Sequence, residues 1–119
     1  MILKDIKILC FDIDGVICKT FKGNYSASKP IRKNIKLINQ LYKKGYVIKL
    51  FTARYMGRTK DKKYLAEKKA KKLTTMQLNK WGVCYHKLFF GKVSYDILVD
   101  DKAIFFKKDW QKFLNKKLI

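Results

Sequence analysis

Two carboxylates, Asp12 and Asp14 in the run FDIDG, interrupt one of the most apolar stretches of a chain that carries 29 Lys and Arg against 9 Asp and Glu. A carboxylate at the edge of a core costs on the order of several kcal/mol unless a cation or strong donors meet it. A second acidic pair, Asp100 and Asp101, closes the apolar run YDILV. Clustered carboxylates repel one another, and a hard divalent cation such as Mg²⁺, held by one or two carboxylates with water and phosphate oxygens, removes the repulsion. Between the two pairs, Thr52 supplies a hydroxyl, Ala53 a backbone N–H and Arg54 a guanidinium, an arrangement suited to an anion. Lys92, in FGKV, adds a positive charge that can reach the same rim. Acids with a metal, a hydroxyl donor and a cation are the equipment of phosphoryl transfer, which works by positioning and charge neutralisation.

The elements that must carry these residues follow from pattern. The segment IKILCFDI (6–13) is rich in strand formers and runs into a turn that Gly15 lets close tightly. Residues 17–29 read as a loop or small flap. Pro30 suits a first helical turn, and Ile31, Ile35, Ile38 and Tyr42 recur at helical spacing until Gly45. Tyr46–Phe51 is a second strand, and strand, helix, strand joined by short turns predicts a parallel pair. After a polar loop, 62–80 is helical, with Ala66, Ala70, Leu73, Gln77 and Trp81 on one side; the capping-box spacing of Thr74 and Gln77 allows a break there. Lys87–Phe90 and Tyr95–Val99 read as two more strands, the latter delivering Asp100 and Asp101. Ala103–Phe106 is an expected edge strand, and 110–118 a last helix. The expected fold is a three-layer, Rossmann-like α/β domain over residues 1–119. Its sheet is mainly parallel, with the acids at the carboxyl ends of strands, where open parallel sheets bind ligands.

Composition bounds the rest. A 119-residue chain that is 48% apolar suits one globular domain. No apolar run approaches the ~18 residues of a membrane span, and Lys4, Asp5 and Lys7 interrupt the N-terminus, so a cytoplasmic protein with no membrane partner is expected. Cys10, Cys18 and Cys84 form no metal or disulfide pattern and read as reduced thiols. The charge of +20 invites a polyanion partner. Only Arg32, Arg54 and Arg58 are arginines, however, and the lysines are spread along the whole chain, so a solvated basic surface is the preferred reading. The lone His86 reads as a packing or hydrogen-bonding residue, because the aspartates already provide acid and base.

FDIDG at 11–15, KLFT at 49–52, Lys92 and LVDD at 98–101 resemble the four ordered motifs of the haloacid dehalogenase (HAD) superfamily of phosphatases. FDIDGVIC, INQLYKKGY, FTAR, QLNKWGVCYHKLFFGK and DDKA further resemble its short, capless members associated with capsular polysaccharide genes. The resemblance implies a HAD-type domain without a cap. It also implies hydrolysis of a phosphate monoester, with Asp12 forming an aspartyl phosphate and Asp14 exchanging protons. Mg²⁺ would be held by Asp12, Asp14 through its backbone carbonyl, and Asp101, with Asp100 beside it; Thr52 and Lys92 would bind the phosphoryl oxygens. Lys87 is a second candidate for the lysine. Ala53, Arg54, Tyr25 and Arg58 are the expected substrate contacts, with Tyr55 on the same rim. A sugar or polyol phosphate of surface polysaccharide synthesis is the implied substrate. A nucleic-acid 3′-phosphate is the alternative, and a non-catalytic metal- or polyanion-binding module is a second. An open site calls for a large substrate or a neighbouring subunit as lid. The apolar residues Phe105, Phe106, Trp110 and Phe113 are candidates for a homo-oligomer interface, although core packing is the preferred use for most of them.

Overall fold

The computed structural model describes residues 6–118; Lys4 and Asp5 lie outside them. Its centre is a parallel sheet of three strands in the order β1 (Ile8–Asp12), β4 (Val47–Thr52), β5 (Lys87–Phe90). Leu9 aligns with Ile48, Phe11 with Leu50 and Asp12 with Phe51, while Thr52 aligns with Phe90. Asp12, Thr52 and Phe90 thus end their strands at one edge of the sheet.

Between β1 and helix α1 (Arg32–Lys43) the chain forms a small flap. Two-residue strands β2 (Cys18–Lys19) and β3 (Lys29–Pro30) pair antiparallel around a 3-10 turn at Tyr25–Ala27. Pro30 therefore lies in the flap, two residues before the helix, rather than in its first turn. Helix α2 (Lys63–Lys80) runs without a break through Thr74, and α3 covers Trp110–Lys117.

Alternation in the strands determines what is buried. Leu9, Phe11, Ile48 and Leu50 share one face and join Ile35, Ile38 and Leu41 of α1, Leu78 of α2, and Trp110 and Leu114 of α3 in one core. Ile8, Cys10 and Phe89 occupy alternate positions and are exposed. The hydrophobic effect that holds the helices to the sheet comes from this one continuous cluster.

One expectation about the sheet is corrected. Tyr95–Val99 and Ala103–Phe106 form no strand among the described residues, and Ile97, Val99 and Phe105 are 84%, 94% and 80% exposed. The physical reason begins at Ser94, whose N–H and hydroxyl both donate to Asp61 Oδ1, at 3.2 and 2.8 Å. That tie fastens the start of the segment to the loop after β4. Strand-prone composition makes no strand without a ladder partner. Trp110 packs in the core as expected, at 6.4 Å from the Phe11 ring, whereas Phe105, Phe106 and Phe113 are exposed. Among the described residues no helix is long and apolar enough to cross a membrane.

Candidate active site

The turn after β1 is built by its own backbone. The Ile13 carbonyl accepts from Val16, Ile17 and Cys18 N–H, and Gly15 turns the chain at φ +92°. Ile13 and Ile17 are fully buried and anchor the turn, which leaves Asp12 and Asp14 at its mouth.

Asp12 is half-buried. Its Oδ1 accepts the Ile13 N–H at 2.9 Å, and its Oδ2 lies 3.5 Å from Lys92 Nζ. Burial pushes the Asp12 carboxyl above its ordinary range, and the Lys92 charge and the Ile13 N–H offset this only in part. For Lys92 burial works against the charge, but Tyr95 and Asp12 outweigh it and hold the amine above the usual lysine range. The Lys92 N–H donates to the Thr52 carbonyl, which places this lysine beside the ends of β4 and β1. Lys87 aligns with Lys49, three residues back along the sheet, and is exposed. Of the two lysines, Lys92 is therefore the one that lies beside Asp12.

Asp14 has a different partner. Arg54 Nε donates to its Oδ1 and Oδ2 at 3.2 and 3.0 Å, Arg54 Nη2 donates to Oδ1 at 3.0 Å, and the Thr20 hydroxyl donates to Oδ1 at 2.5 Å. Such charge-assisted, forked contacts fix orientation as well as distance. Among the described residues two ion pairs form, Arg54–Asp14 and Lys92–Asp12. In a chain of charge +20, both are spent on the two aspartates of FDIDG.

Arg54 was expected to face a substrate anion, and this is corrected. The residue is 1% exposed, and Nη1 donates to Thr74 Oγ1 and Gln77 Oε1 at 3.2 and 2.6 Å. The physical reason lies in α2, which turns two polar side chains inward and supplies buried acceptors that a buried guanidinium requires. Gln77 Nε2 in turn donates to the Tyr25 carbonyl at 2.6 Å, and Arg54 Nη2 reaches Ser28 Oγ at 3.4 Å, so the flap is tied to the same hub.

Thr52 is fully buried, and its hydroxyl accepts the Arg54 N–H at 3.1 Å. Its hydroxyl proton and the Ala53 N–H meet no protein acceptor among the described residues. Tyr25, Tyr55 and Arg58 form the outer rim. The two rings lie 4.9 Å apart, and the Arg58 guanidinium sits over both, 5.1 Å from Tyr25 and 4.9 Å from Tyr55, while donating to the Gly23 carbonyl. Tyr55 has φ +63°, an uncommon conformation for an aromatic residue and one that marks a constrained loop. His86 is structural as expected: its Nδ1 accepts the Ile48 N–H at 3.0 Å and its ring stacks on Tyr42 at 4.5 Å. The three cysteines are unpaired, and burial pushes the Cys18 thiol up.

Asp100 and Asp101 are not brought to the site. They lie on an exposed turn where Asp100 Oδ1 accepts the Lys102 N–H at 2.7 Å. Among the described residues no group of three or more His, Cys, Asp or Glu gathers that could hold a metal ion. The reason is the same absence of a ladder at 95–99. At β1 itself the donors still suit a hard cation: Asp12 keeps 35% of its side chain exposed, and no protein donor among the described residues reaches the Asp14 backbone carbonyl.

Thr20 and Ser28 carry no site signal in the sequence, and Thr74 and Gln77 look there like ordinary residues of a helix face. The signal for Thr74 and Gln77 was present as polar side chains on the face of α2 that carries Ala66 and Ala70, because buried polar groups require partners.

No family model and no curated protein matches the chain. Among solved structures, a protein from Vibrio cholerae superposes with TM-score 0.77 at 22% identity, covering 93% of this chain and 98% of that one. The Pnkp1/Rnl/Hen1 complex matches with TM-score 0.55 at 16% identity, over 91% of this chain and 32% of that one. The D,D-heptose 1,7-bisphosphate phosphatase of B. bronchiseptica, complexed with magnesium and phosphate, matches with TM-score 0.50 at 16% identity, over 82% of this chain and 54% of that one. The chain thus has a Rossmann-like α/β fold that these structures share.

Proposed function

We infer that this protein is a phosphatase that hydrolyses a phosphate monoester through an aspartyl phosphate on Asp12. The observation that carries the reading is the convergence, at one edge of the parallel sheet, of Asp12 with Lys92 and of Asp14 with Arg54. Fold likeness to a phosphatase structure holding magnesium and phosphate supports it. In the first step Asp12 attacks phosphorus, the bond to the leaving oxygen breaks, and Asp14 gives that oxygen a proton. In the second, water attacks phosphorus, its proton passes to Asp14, and the Asp12–phosphorus bond breaks to release phosphate. Lys92, and the uncommitted donors of Thr52 and Ala53, neutralise and orient the phosphoryl oxygens. Mg²⁺ would be held by the Asp12 carboxylate and the Asp14 backbone carbonyl, with water and substrate oxygens completing its shell. When bound it supplies charge neutralisation on the phosphoryl group.

The substrate is a small phosphorylated metabolite, a sugar or polyol phosphate of surface polysaccharide synthesis, met at the rim by Tyr25 and Arg58. The exposed Arg58, held by two aromatic rings, is preorganised for such a contact. A polynucleotide 3′-phosphate is the second reading, favoured by the charge of +20 and the likeness to the Pnkp1 complex. Turnover of a panel of sugar phosphates and a 3′-phosphorylated oligonucleotide, with Mg²⁺ and with chelator, tests both. Sugar phosphate turnover that chelator abolishes supports the first reading. Preference for the oligonucleotide with steep salt dependence replaces it with the second. Inactivity on every ester refutes both.

A further inference from the structure

The buried guanidinium of Arg54 has no donor facing the mouth of the site. Nε and Nη2 hold Asp14, Nη1 holds Thr74 and Gln77, and Nη2 also reaches Ser28 Oγ at 3.4 Å and Cys18 Sγ at 3.7 Å. An arginine so committed takes no substrate anion without breaking this network. It does decide where the Asp14 carboxylate points. Asp14 sits immediately before Gly15, and besides Arg54 its side chain meets the Thr20 hydroxyl at 2.5 Å and Cys18 Sγ at 3.5 Å.

We propose that Arg54 is a positioning residue that acts through Asp14: its fork fixes the carboxylate in one orientation, the Thr20 hydroxyl holds Oδ1 beside it, and α2 fixes the fork. The proposal rests on the reading of Asp14 as the group that gives the leaving oxygen its proton. Proton transfer needs the acid within hydrogen-bond reach of that oxygen, and a displacement of ~1 Å at such a group costs on the order of 10²-fold in rate. The demand depends on the leaving group. An alkoxide must be protonated as it departs, whereas dinitrophenolate leaves unassisted, so in formation of the aspartyl phosphate, the step that kcat/KM reads, loss of Asp14 positioning falls on the first and spares the second, while the later attack of water is common to both.

The test compares glycerol phosphate with dinitrophenyl phosphate for the wild-type protein and for Arg54→Met, Arg54→Lys and Thr20→Val. Arg54→Met is expected to lower kcat/KM on glycerol phosphate about 100-fold and on dinitrophenyl phosphate less than about 5-fold. Arg54→Lys restores part of the loss, and Thr20→Val gives a smaller loss of the same kind. Equal losses of kcat/KM on both esters overturn the proposal, because a misfolded site is blind to the leaving group. A raised KM with kcat intact on both esters also overturns it, returning Arg54 to substrate binding. If Arg54→Met does not fold by circular dichroism, the Arg54→Lys and Thr20→Val pair decides by the same ratio. A wild-type protein inactive on both esters refutes the phosphatase reading itself, whereas an active wild type with leaving-group-blind variants refutes only this role of Arg54.

Discussion

Lys92 Nζ lies 3.5 Å from Asp12 Oδ2, although eighty residues separate them, because the Lys92 N–H bonds the Thr52 carbonyl and so extends the β4–β5 pairing to the edge where β1 ends. The pair joins the nucleophile of the proposed reaction to the charge that would receive the phosphoryl oxygens. Lys92→Met is expected to lower kcat/KM about 10²-fold, the usual scale for a lost electrostatic contact to a developing anion. Lys87→Met, five residues earlier and aligned with Lys49 in the sheet, is expected to stay within about 2-fold. Steady-state assays on one aryl phosphate check both, and equal losses would remove the distinction between the two lysines.

Asp12 also makes a prediction about stability and pH. Its carboxyl is raised from 3.8 by burial, against the Lys92 charge. A raised carboxyl contributes stability that is fully present below the unfolded-state value and is lost as pH rises through the folded one. The ionised Asp12 is therefore a burden on the metal-free fold at neutral pH. Asp12→Asn, which is expected to abolish turnover, should melt higher than wild type at pH 7, with the difference vanishing as pH falls to the ordinary carboxylate range. Thermal melts across pH in chelator would show this, and a lower melting temperature for Asp12→Asn at pH 7 would contradict it.

The turn that follows the two aspartates depends on Gly15. At φ +92° a Cβ is strained even though nothing lies within 4 Å of it. Gly15→Ala is expected to destabilise the fold by about 1–2 kcal/mol from backbone strain alone. Urea denaturation measures the change, and an unaltered midpoint would mean that the turn relaxes freely.

Gln77→Leu removes the 2.6 Å acceptor of Arg54 Nη1 inside the core. Leaving a buried donor of a charged group underpartnered costs about 1–3 kcal/mol. The same variant in an Arg54→Met background should cost much less, because the donor is then gone. A double-mutant cycle in denaturant reads the coupling, and additive losses would show that the two residues act separately.

The parts legible in the sequence were those whose signal is local. The strand before FDIDG, the helix spanning Ile35 to Tyr42 and the strand Lys87–Phe90 each carry their own pattern, and they formed within a residue or two of the expected bounds. Asp12, Asp14 and Lys92 could be placed because strand ends follow from strand patterns. Arg54 could not, since its burial depends on acceptors 20 and 23 residues onward in α2 that look like ordinary polar helix residues. The run Tyr95–Val99 shows the opposite error: its composition suits a strand, but pairing is a relation between segments, and the tie from Ser94 to Asp61 takes this one elsewhere.

Gln77 bonds Arg54 through its carbonyl oxygen and the Tyr25 backbone through its amide nitrogen. One side chain thus latches the acid-holding hub and the flap to the same turn of α2. Fraying of that turn would unfasten the flap and release Asp14 in a single event, so proteolytic nicking within residues 20–28 and loss of the ordered site should rise together on heating.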